Sequence, residues 1–102
     1  MSEATKEKIS VVVPCYNEAE ALPFFYAELR RVAQEMVEQD FEFIFVDDGS
    51  KDGTLEAFRG LAEDDPRVRY ISFSRNFGKE AAMYAGLQAA TGDLAVLMDA
   101  DL

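Results

Sequence analysis

Two aspartates lie within the last four residues of the sequence. Asp99 and Asp101, separated by one alanine, directly follow the apolar run at residues 95–98. In an open α/β sheet the ligand crevice lies outside the carboxyl ends of the strands, so an Asp-x-Asp there is placed to hold a divalent cation. Hard oxygen ligands suit Mg²⁺ or Mn²⁺, which share their shells with waters and substrate phosphates. A solvated acidic strand end is the alternative, and the pair alone does not decide between them.

The composition narrows the classes of function. The 102 residues include 20 acidic and 10 basic ones, for a net charge of −10, which argues against a nucleic-acid partner. Histidine is absent, which excludes histidine-based zinc sites and Ser-His or Cys-His nucleophiles. The single cysteine, Cys15, cannot form an internal disulfide, which is typical of a cytoplasmic chain. No apolar run is long enough for a membrane span.

Apolar periodicity predicts four strands separated by three helices, within one domain covering residues 1–102. The strands are expected at residues 9–13, 41–46, 68–73 and 94–98, with the third helix at residues 81–90. This alternation predicts a parallel, Rossmann-like α/β sheet with right-handed crossovers and helices on both faces. The loops that follow the strands then share one edge; they read "PCYNE", "DDGSKDG", "SRNFGKE" and "DADL".

Local signals predict where these elements begin and end. Pro14 is expected to end the first strand, and Asn17 to cap the first helix, with Glu18 and Glu20 in its first turn. Gly92 is expected at the C′ position of the third helix.

Asp47 and Asp48 end the second strand, and two interpretations stay open for them. A carboxylate there can accept hydrogen bonds from a base or ribose, as in nucleotide-binding folds. Alternatively, Asp48 and Ser50 close an Asx-turn and cap the next helix. A structural role is favoured for Ser50 and Asp52.

Arg75 and Lys79 flank Asn76 and Gly78 at the start of a helix. A helix amino terminus with a lysine is suited to phosphate, although the same cations also balance the nearby acids. Tyr16 could stack on a base, and packing is the alternative. Cys15 is expected to be a buried residue rather than a nucleophile. Gly-rich dinucleotide and P-loop signatures are absent.

Four stretches in this order resemble family 2 glycosyltransferases. They are "VVVPCYNEAEALP", "FVDDGSKDGT", "SRNFGKEAAMYAGL" and "TGDLAVLMDADL", and together they span the chain end to end. The third stretch is most similar to the subgroup that moves a sugar to a polyprenyl phosphate: bactoprenol glucosyltransferases and their dolichyl-phosphate mannosyltransferase relatives.

The resemblance implies the nucleotide-binding half of the A-type glycosyltransferase fold. It also implies a donor site for a UDP- or GDP-hexose, made by Pro14, Tyr16, Asn17, Glu18, Asp47, Asp48, Arg75, Asn76, Lys79 and Asp99. Asp99 and Asp101 would bind Mg²⁺ or Mn²⁺ against the diphosphate, with Asp101 as the catalytic residue. The implied reaction is metal-dependent transfer, with inversion, to a polyprenyl phosphate at the cytoplasmic face of the membrane.

The chain stops soon after Asp101, before the acceptor half that the resemblance implies. We therefore expect a fragment that binds nucleotide without transferring sugar, and that self-associates through its uncovered last strand. A non-enzymatic flavodoxin-like signalling or nucleotide-binding module is the alternative. A phosphoacceptor receiver, however, carries an acid pair after its first strand, where this chain has "PCYNE". A nucleotidyltransferase would need a Gly-rich loop at that place.

Overall fold

The computed structural model describes residues 6–100. Strands and helices alternate along this range in the predicted order. They are β1 (Glu7–Cys15), α1 (Leu22–Glu35), β2 (Gln39–Asp47), α2 (Thr54–Asp64), β3 (Val68–Ser72), α3 (Lys79–Ala89) and β4 (Leu94–Leu97). None of the helices within residues 6–100 is long and apolar enough to cross a bilayer.

The four strands form one parallel sheet in the order β3-β2-β1-β4. β1 and β2 pair over their full lengths, from Glu7 opposite Gln39 to Cys15 opposite Asp47. The first two crossovers add strands outward in one direction, whereas α3 carries the chain back to the other side of β1. The strand order therefore reverses between β1 and β4, and such a switch point is where open α/β sheets bind ligands.

Helices cover both faces of the sheet, as predicted. Because side chains alternate along a strand, Val11 and Phe43 pack on one face with Phe25 of α1 and Phe58 of α2. The other face packs Val12, Ile44 and Val46 against Ala82 of α3. α3 lies close to the sheet because its buried residues, Ala82 and Gly86, are small. A Cβ added at Gly86 would meet the Val12 Cγ1 atom at 2.3 Å.

The prediction that Pro14 ends the first strand is wrong, because Pro14 lies inside β1, opposite Val46 of β2. Its missing N–H falls on the β4 side of the strand. There the pairing stops after Val12 opposite Leu97, with the Met98 N–H donating to the Val12 carbonyl at 3.0 Å. Proline is tolerated where no ladder hydrogen bond is required of its nitrogen.

The predicted helix caps are also wrong. The cap of α1 is Ala21, so Asn17, Glu18 and Glu20 precede the helix and its first turn carries no acid. α3 is capped at its carboxyl end by Ala90, in extended backbone, rather than closed by Gly92. Gly92 is needed for a different reason. A Cβ there would lie 2.6 Å from the Ser10 Oγ atom, so a larger residue would push the chain away from β1.

A buried carboxylate fixes the start of β4. Glu42 accepts hydrogen bonds from the Ser10 hydroxyl (2.6 Å), the Thr91 N–H (2.7 Å) and the Arg69 guanidinium (2.9 Å). Burial alone would raise the pKa of Glu42, but these hydrogen bonds outweigh it and lower the pKa to about 2. The ionised carboxylate thus ties the segment before β4 to β1 and β3.

Candidate functional site

A cleft of about 280 Å³ opens where the carboxyl ends of β1 and β4 meet. Six of the predicted site residues line it; they are Pro14, Tyr16, Glu18, Asp48, Lys79 and Asp99. Cys15 and Ala100 complete the lining. Residues from the ends of β1 and β2, the start of α3 and the chain after β4 are therefore brought to one place, as the parallel topology requires.

Neither Cys15 nor Ala100 was predicted to line the cleft. Both are buried and small, and each lies between predicted site residues in the sequence. Their place next to strand ends is the only signal that could have identified them. Burial, followed by the negative charge of Glu18, raises the pKa of the Cys15 thiol to about 12. The thiol stays protonated at neutral pH, which agrees with the prediction that it is not a nucleophile.

The segment after β1 carries Tyr16, whose side chain is partly exposed at the cleft. The next residue, Asn17, has a left-handed backbone (φ 54°) and does not line the cleft. Its N–H donates to the Ser50 hydroxyl at 2.8 Å, and its side-chain oxygen accepts from the Lys51 N–H at 2.8 Å. Asn17 therefore holds the β2–α2 turn (residues 48–53) against the end of β1.

Asp47 is buried beneath that turn rather than in the cleft lining. Its carboxylate accepts the Ser50 N–H at 2.9 Å, which closes an Asx-type turn with Asp47, not Asp48, as the acid. Asp52 accepts the N–H groups of Thr54 (2.9 Å) and Ala19 (3.2 Å). Ser50 and Asp52 thus have the structural contacts that the sequence favoured.

Asp48 lines the cleft and also reaches the β3–α3 loop (residues 73–78). Its carboxylate accepts hydrogen bonds from the Phe77 N–H (2.8 Å), the Gly78 N–H (3.1 Å) and the Asn76 side-chain amide (3.2 Å). Asn76 and Arg75 do not line the cleft. The Arg75 guanidinium lies over the ring of Phe77, 4.8 Å from its centroid, in a cation–π contact.

An ion pair joins the two sides of the cleft. The ammonium of Lys79, the first residue of α3, lies 2.6 Å from an Asp99 carboxylate oxygen, and both side chains are more than half exposed. The predicted balance of cation and acid is therefore present, at a helix amino terminus. Asp101 lies outside the described residues. Among residues 6–100 no cluster of three or more metal-ligating side chains occurs.

The charge of the cleft is unbalanced. Its lining includes the carboxylates of Glu18, Asp48 and Asp99 but only one cation, Lys79. The cleft is thus polar and acidic, at the switch point of a parallel sheet. Such a site can bind an uncharged sugar or base directly, but it binds a diphosphate favourably only with further positive charge.

An open parallel sheet with helices on both faces and a polar cleft at its switch point defines an α/β protein of the Rossmann-like class. The chain belongs to glycosyl transferase family 2, whose family model matches residues 10–102. The resemblance of the four sequence stretches to this family is thereby confirmed.

Among curated proteins, the chain is similar to the prophage bactoprenol glucosyl transferase homolog of Escherichia coli (strain K12). The two are 50% identical over 95 residues, which is 93% of this chain and 31% of that protein. The chain therefore spans about a third of the length of this relative.

Two solved structures share the fold. The mannosyltransferase PcManGT from Pyrobaculum calidifontis, in complex with GDP-Man and Mn²⁺, is 32% identical with a TM-score of 0.73. The match covers 95% of this chain and 28% of that one. S. aureus TarS in complex with UDP is 26% identical with a TM-score of 0.76, over 92% of this chain and 27% of that one. The predicted fold class, an A-type glycosyltransferase sheet, is confirmed.

Proposed function

We propose that this chain is the donor-nucleotide half of a glycosyltransferase that moves a hexose from a UDP-glucose-like nucleotide sugar to a polyprenyl phosphate with inversion. The observation that carries the proposal is the meeting of Tyr16, Asp48, Lys79 and Asp99 in one cleft at the β1–β4 switch point. The 50% identity to a protein named as a bactoprenol glucosyl transferase homolog supports the sugar and the lipid acceptor.

Different residues of the cleft are expected to contact different parts of the nucleotide sugar. The ring of Tyr16 offers a face on which a base can stack, with Pro14 and Glu18 beside it. Asp47 and Asn17 act through the β2–α2 turn, which they hold in place beside the base. Arg75, Asn76 and Lys79 belong to the segment that opens α3, where N–H groups and cations favour phosphate.

A divalent cation, Mg²⁺ or Mn²⁺, fits the donor groups of this cleft. The Asp99 carboxylate is 58% exposed at the cleft and supplies the hard oxygen that these cations prefer. Three carboxylates against one ammonium would repel a diphosphate, so added positive charge is needed for binding. Asp99, together with Asp101, would hold the cation, whose chemistry is to stabilise the charge of the leaving nucleoside diphosphate.

The rest of the mechanism requires little from side chains. A phosphate acceptor is already ionised at neutral pH, so no general base has to remove a proton from it. Lys79 holds Asp99 in place before the donor binds and is positioned to neutralise a phosphate oxygen afterwards. Pro14 and Tyr16 orient the nucleotide, which fixes the direction from which the acceptor attacks.

Binding of nucleotide tests the proposal. UDP is titrated into the chain by calorimetry with and without Mn²⁺, comparing the wild type with Asp99→Ala. We expect Mn²⁺ to strengthen UDP binding to the wild type about tenfold or more, and to have little effect on the variant. Glu63→Ala, which removes the same charge from the exposed far end of α2, should behave as the wild type. Metal-independent UDP binding, or none, would contradict the proposal.

We further propose that the 102-residue chain binds donor without transferring sugar, because it spans only 31% of the length of its bactoprenol glucosyl transferase relative. Incubation with UDP-glucose and a polyprenyl phosphate in detergent should give no glycolipid. Formation of glycolipid by the purified chain would refute this part. The full-length enzyme is proposed to act at the cytoplasmic face of the membrane, where its lipid acceptor is anchored.

Self-association through β4 is the remaining proposal, with a second copy of the chain as the partner. All four residues of β4 are exposed, and an apolar groove of about 210 Å³ lies beside it against α1. Strand edges of this kind pair readily with one another. Sedimentation should show dimers that Val96→Lys abolishes, while Val37→Lys, away from the groove, leaves them intact. A wild type that stays monomeric at high concentration would contradict the proposal.

A further inference from the structure

Asp48 connects two loops that are far apart in the sequence. Each of its carboxylate oxygens accepts a hydrogen bond from the Gly78 N–H, at 3.2 and 3.1 Å. One oxygen also accepts the Phe77 N–H at 2.8 Å, and the other the Asn76 amide at 3.2 Å. Asp48 as a residue is 4% exposed, so water does not compete strongly for these bonds. The carboxylate is thus committed to the β3–α3 loop.

The backbones of the two loops are also in direct contact. Gly49 has φ +75°, and a Cβ there would lie 2.2 Å from the carbonyl carbon of Arg75. Beside it, the Phe73 N–H donates to the Asp47 carbonyl at 2.9 Å. The β3–α3 loop is therefore held at its start by the end of β2 and at its finish by Asp48.

The segment held in this way carries cations of the proposed phosphate site. Arg75 lies inside it, and Lys79 follows Gly78, the last residue that Asp48 contacts. Gly78 itself has φ +108°, a conformation that glycine adopts readily and other residues rarely do. Because glycine is flexible, the hydrogen bonds that Asp48 accepts from the Phe77 and Gly78 N–H groups help to set the direction in which α3 begins. The position of the Lys79 ammonium, 2.6 Å from Asp99, depends on this start.

We propose that Asp48 is a positioning residue for phosphate recognition rather than a residue that reads the base. It acts through Phe77 and Gly78 on the start of α3 and so on Lys79, which lines the cleft that is proposed to bind the diphosphate of the donor. This inference rests on the proposed function, since it assumes that the cleft binds a nucleoside diphosphate. Its consequence is that loss of Asp48 weakens contacts to phosphate selectively and leaves contacts to the base and ribose intact.

A comparison of uridine with UDP separates the two roles, because uridine has the base and ribose but no phosphate. Both are titrated into the wild type and Asp48→Asn at fixed Mn²⁺. We expect UDP to lose about tenfold in affinity, the size of one charge-assisted hydrogen bond, while uridine stays within about twofold. The salt dependence of UDP binding should also become shallower, which a general loss of structure would not produce on its own.

A matched control is Asp52→Asn. Asp52 carries the same charge and also accepts backbone N–H groups, but from Ala19 and Thr54 rather than from the β3–α3 loop. It should leave the ratio of UDP to uridine affinity unchanged. Should Asp48→Asn fail to fold, Asn76→Ala removes one contact to the same carboxylate and should lower the UDP affinity in the same selective way, by a smaller factor.

The outcomes distinguish this inference from the proposed function. Equal losses for uridine and UDP in Asp48→Asn would place Asp48 on the base and overturn the inference while leaving the proposed function standing. Unchanged affinity for both ligands would overturn it as well. A wild type that binds neither UDP nor uridine would instead refute the proposed function, and the inference with it.

Discussion

At the amino-terminal half of the sheet, the Glu42 carboxylate is 6% exposed and accepts hydrogen bonds from β1, β3 and the segment before β4. At the carboxyl edge, the Asp99 carboxylate is 58% exposed and pairs with the ammonium of Lys79. Both acidic residues lie near β4 in the same parallel sheet. They differ in how many hydrogen-bond donors the protein itself provides to the carboxylate.

This difference indicates which acidic residues can bind a cation or a substrate. A buried carboxylate that receives several internal hydrogen bonds stabilises the fold and has no capacity left for a ligand. An exposed carboxylate in a cleft contributes little to stability and keeps oxygen lone pairs for a cation or a substrate. Asp65 belongs with Glu42, because Arg67 and Tyr26 both donate to it near the start of β3. Asp48 shares features of both groups, because its carboxylate accepts hydrogen bonds from within the protein and it also lines the cleft.

Low pH should have the largest effect on the difference between buried and exposed acidic residues, because it protonates the buried carboxylates that stabilise the fold. Burial raises the pKa values of Glu42 and Asp65, but their hydrogen bonds outweigh it and lower both to about 2, from ordinary values of 4.5 and 3.8. Their contribution to folding is therefore complete above about pH 5 and is lost as the pH falls through each folded pKa. Urea unfolding midpoints should be flat between pH 7 and 5 and decline steeply towards pH 2. A flat profile down to pH 3 would show that these acids do not stabilise the fold.

Glu42→Gln should be the most damaging single substitution of those proposed here. The amide removes the charge that pairs with Arg69 and turns an N–H donor towards other donors, so we expect a loss of about 3 kcal/mol in the free energy of unfolding. Chemical denaturation at pH 7 measures it. Glu63→Gln on the exposed surface of α2 is the control and should change little. Equal effects of the two variants would remove the distinction between buried and exposed acids.

Gly49→Ala tests whether backbone contact, and not charge alone, holds the carboxyl edge together. A Cβ at φ +75° and 2.2 Å from Arg75 requires the two loops to separate, at a cost of about 2 kcal/mol in stability. Gly60→Ala is the matched control, since it lies within α2 with no atom within 4 Å of the added Cβ. It should raise stability by about 0.5–1 kcal/mol. Thermal unfolding of both variants gives the comparison directly.

Asp99→Asn should have the smallest effect on stability. Its ion pair with Lys79 is exposed, and exposed pairs contribute less than about 1 kcal/mol, so the unfolding free energy should stay within that range of the wild type. The same variant should lose the response of UDP binding to Mn²⁺. A large loss of stability would mean that Asp99 is a structural acid like Glu42, and that the contrast between the two edges is wrong.

Much of the fold could be predicted because periodicity and strand chemistry are local. The alternation of strands and helices, the parallel sheet and the helices on both faces all agree with the structure. The strand order could not be deduced, because nothing local says that α3 returns the chain across the sheet to pair β4 with β1. The cap at Asn17 was wrong for a similar reason. Its partners, Ser50 and Lys51, are more than 30 residues away.

The site was predicted to the level of which loops meet, and not to the level of what each side chain does. Parallel strands necessarily bring their following loops to one edge, so Tyr16, Asp48, Lys79 and Asp99 could be expected together. Which member of the Asp47–Asp48 pair faces the cleft depends on the pleat and on contacts with the β3–α3 loop. Asp47 turns inward to Ser50 and Asp48 outward to Phe77, which no pattern within that turn specifies.

Pro14 has an influence beyond its own strand. A further rung of the β1–β4 ladder would need an N–H at position 14 to donate to the carbonyl of Met98, and proline has none. The β1–β4 hydrogen bonds therefore end before Asp99. Asp99 does not have to follow the alternating geometry of a paired strand. A single imino acid on one strand thus limits the length of its neighbour and leaves the Asp99 carboxylate beyond the paired strand, at the cleft, where it meets Lys79.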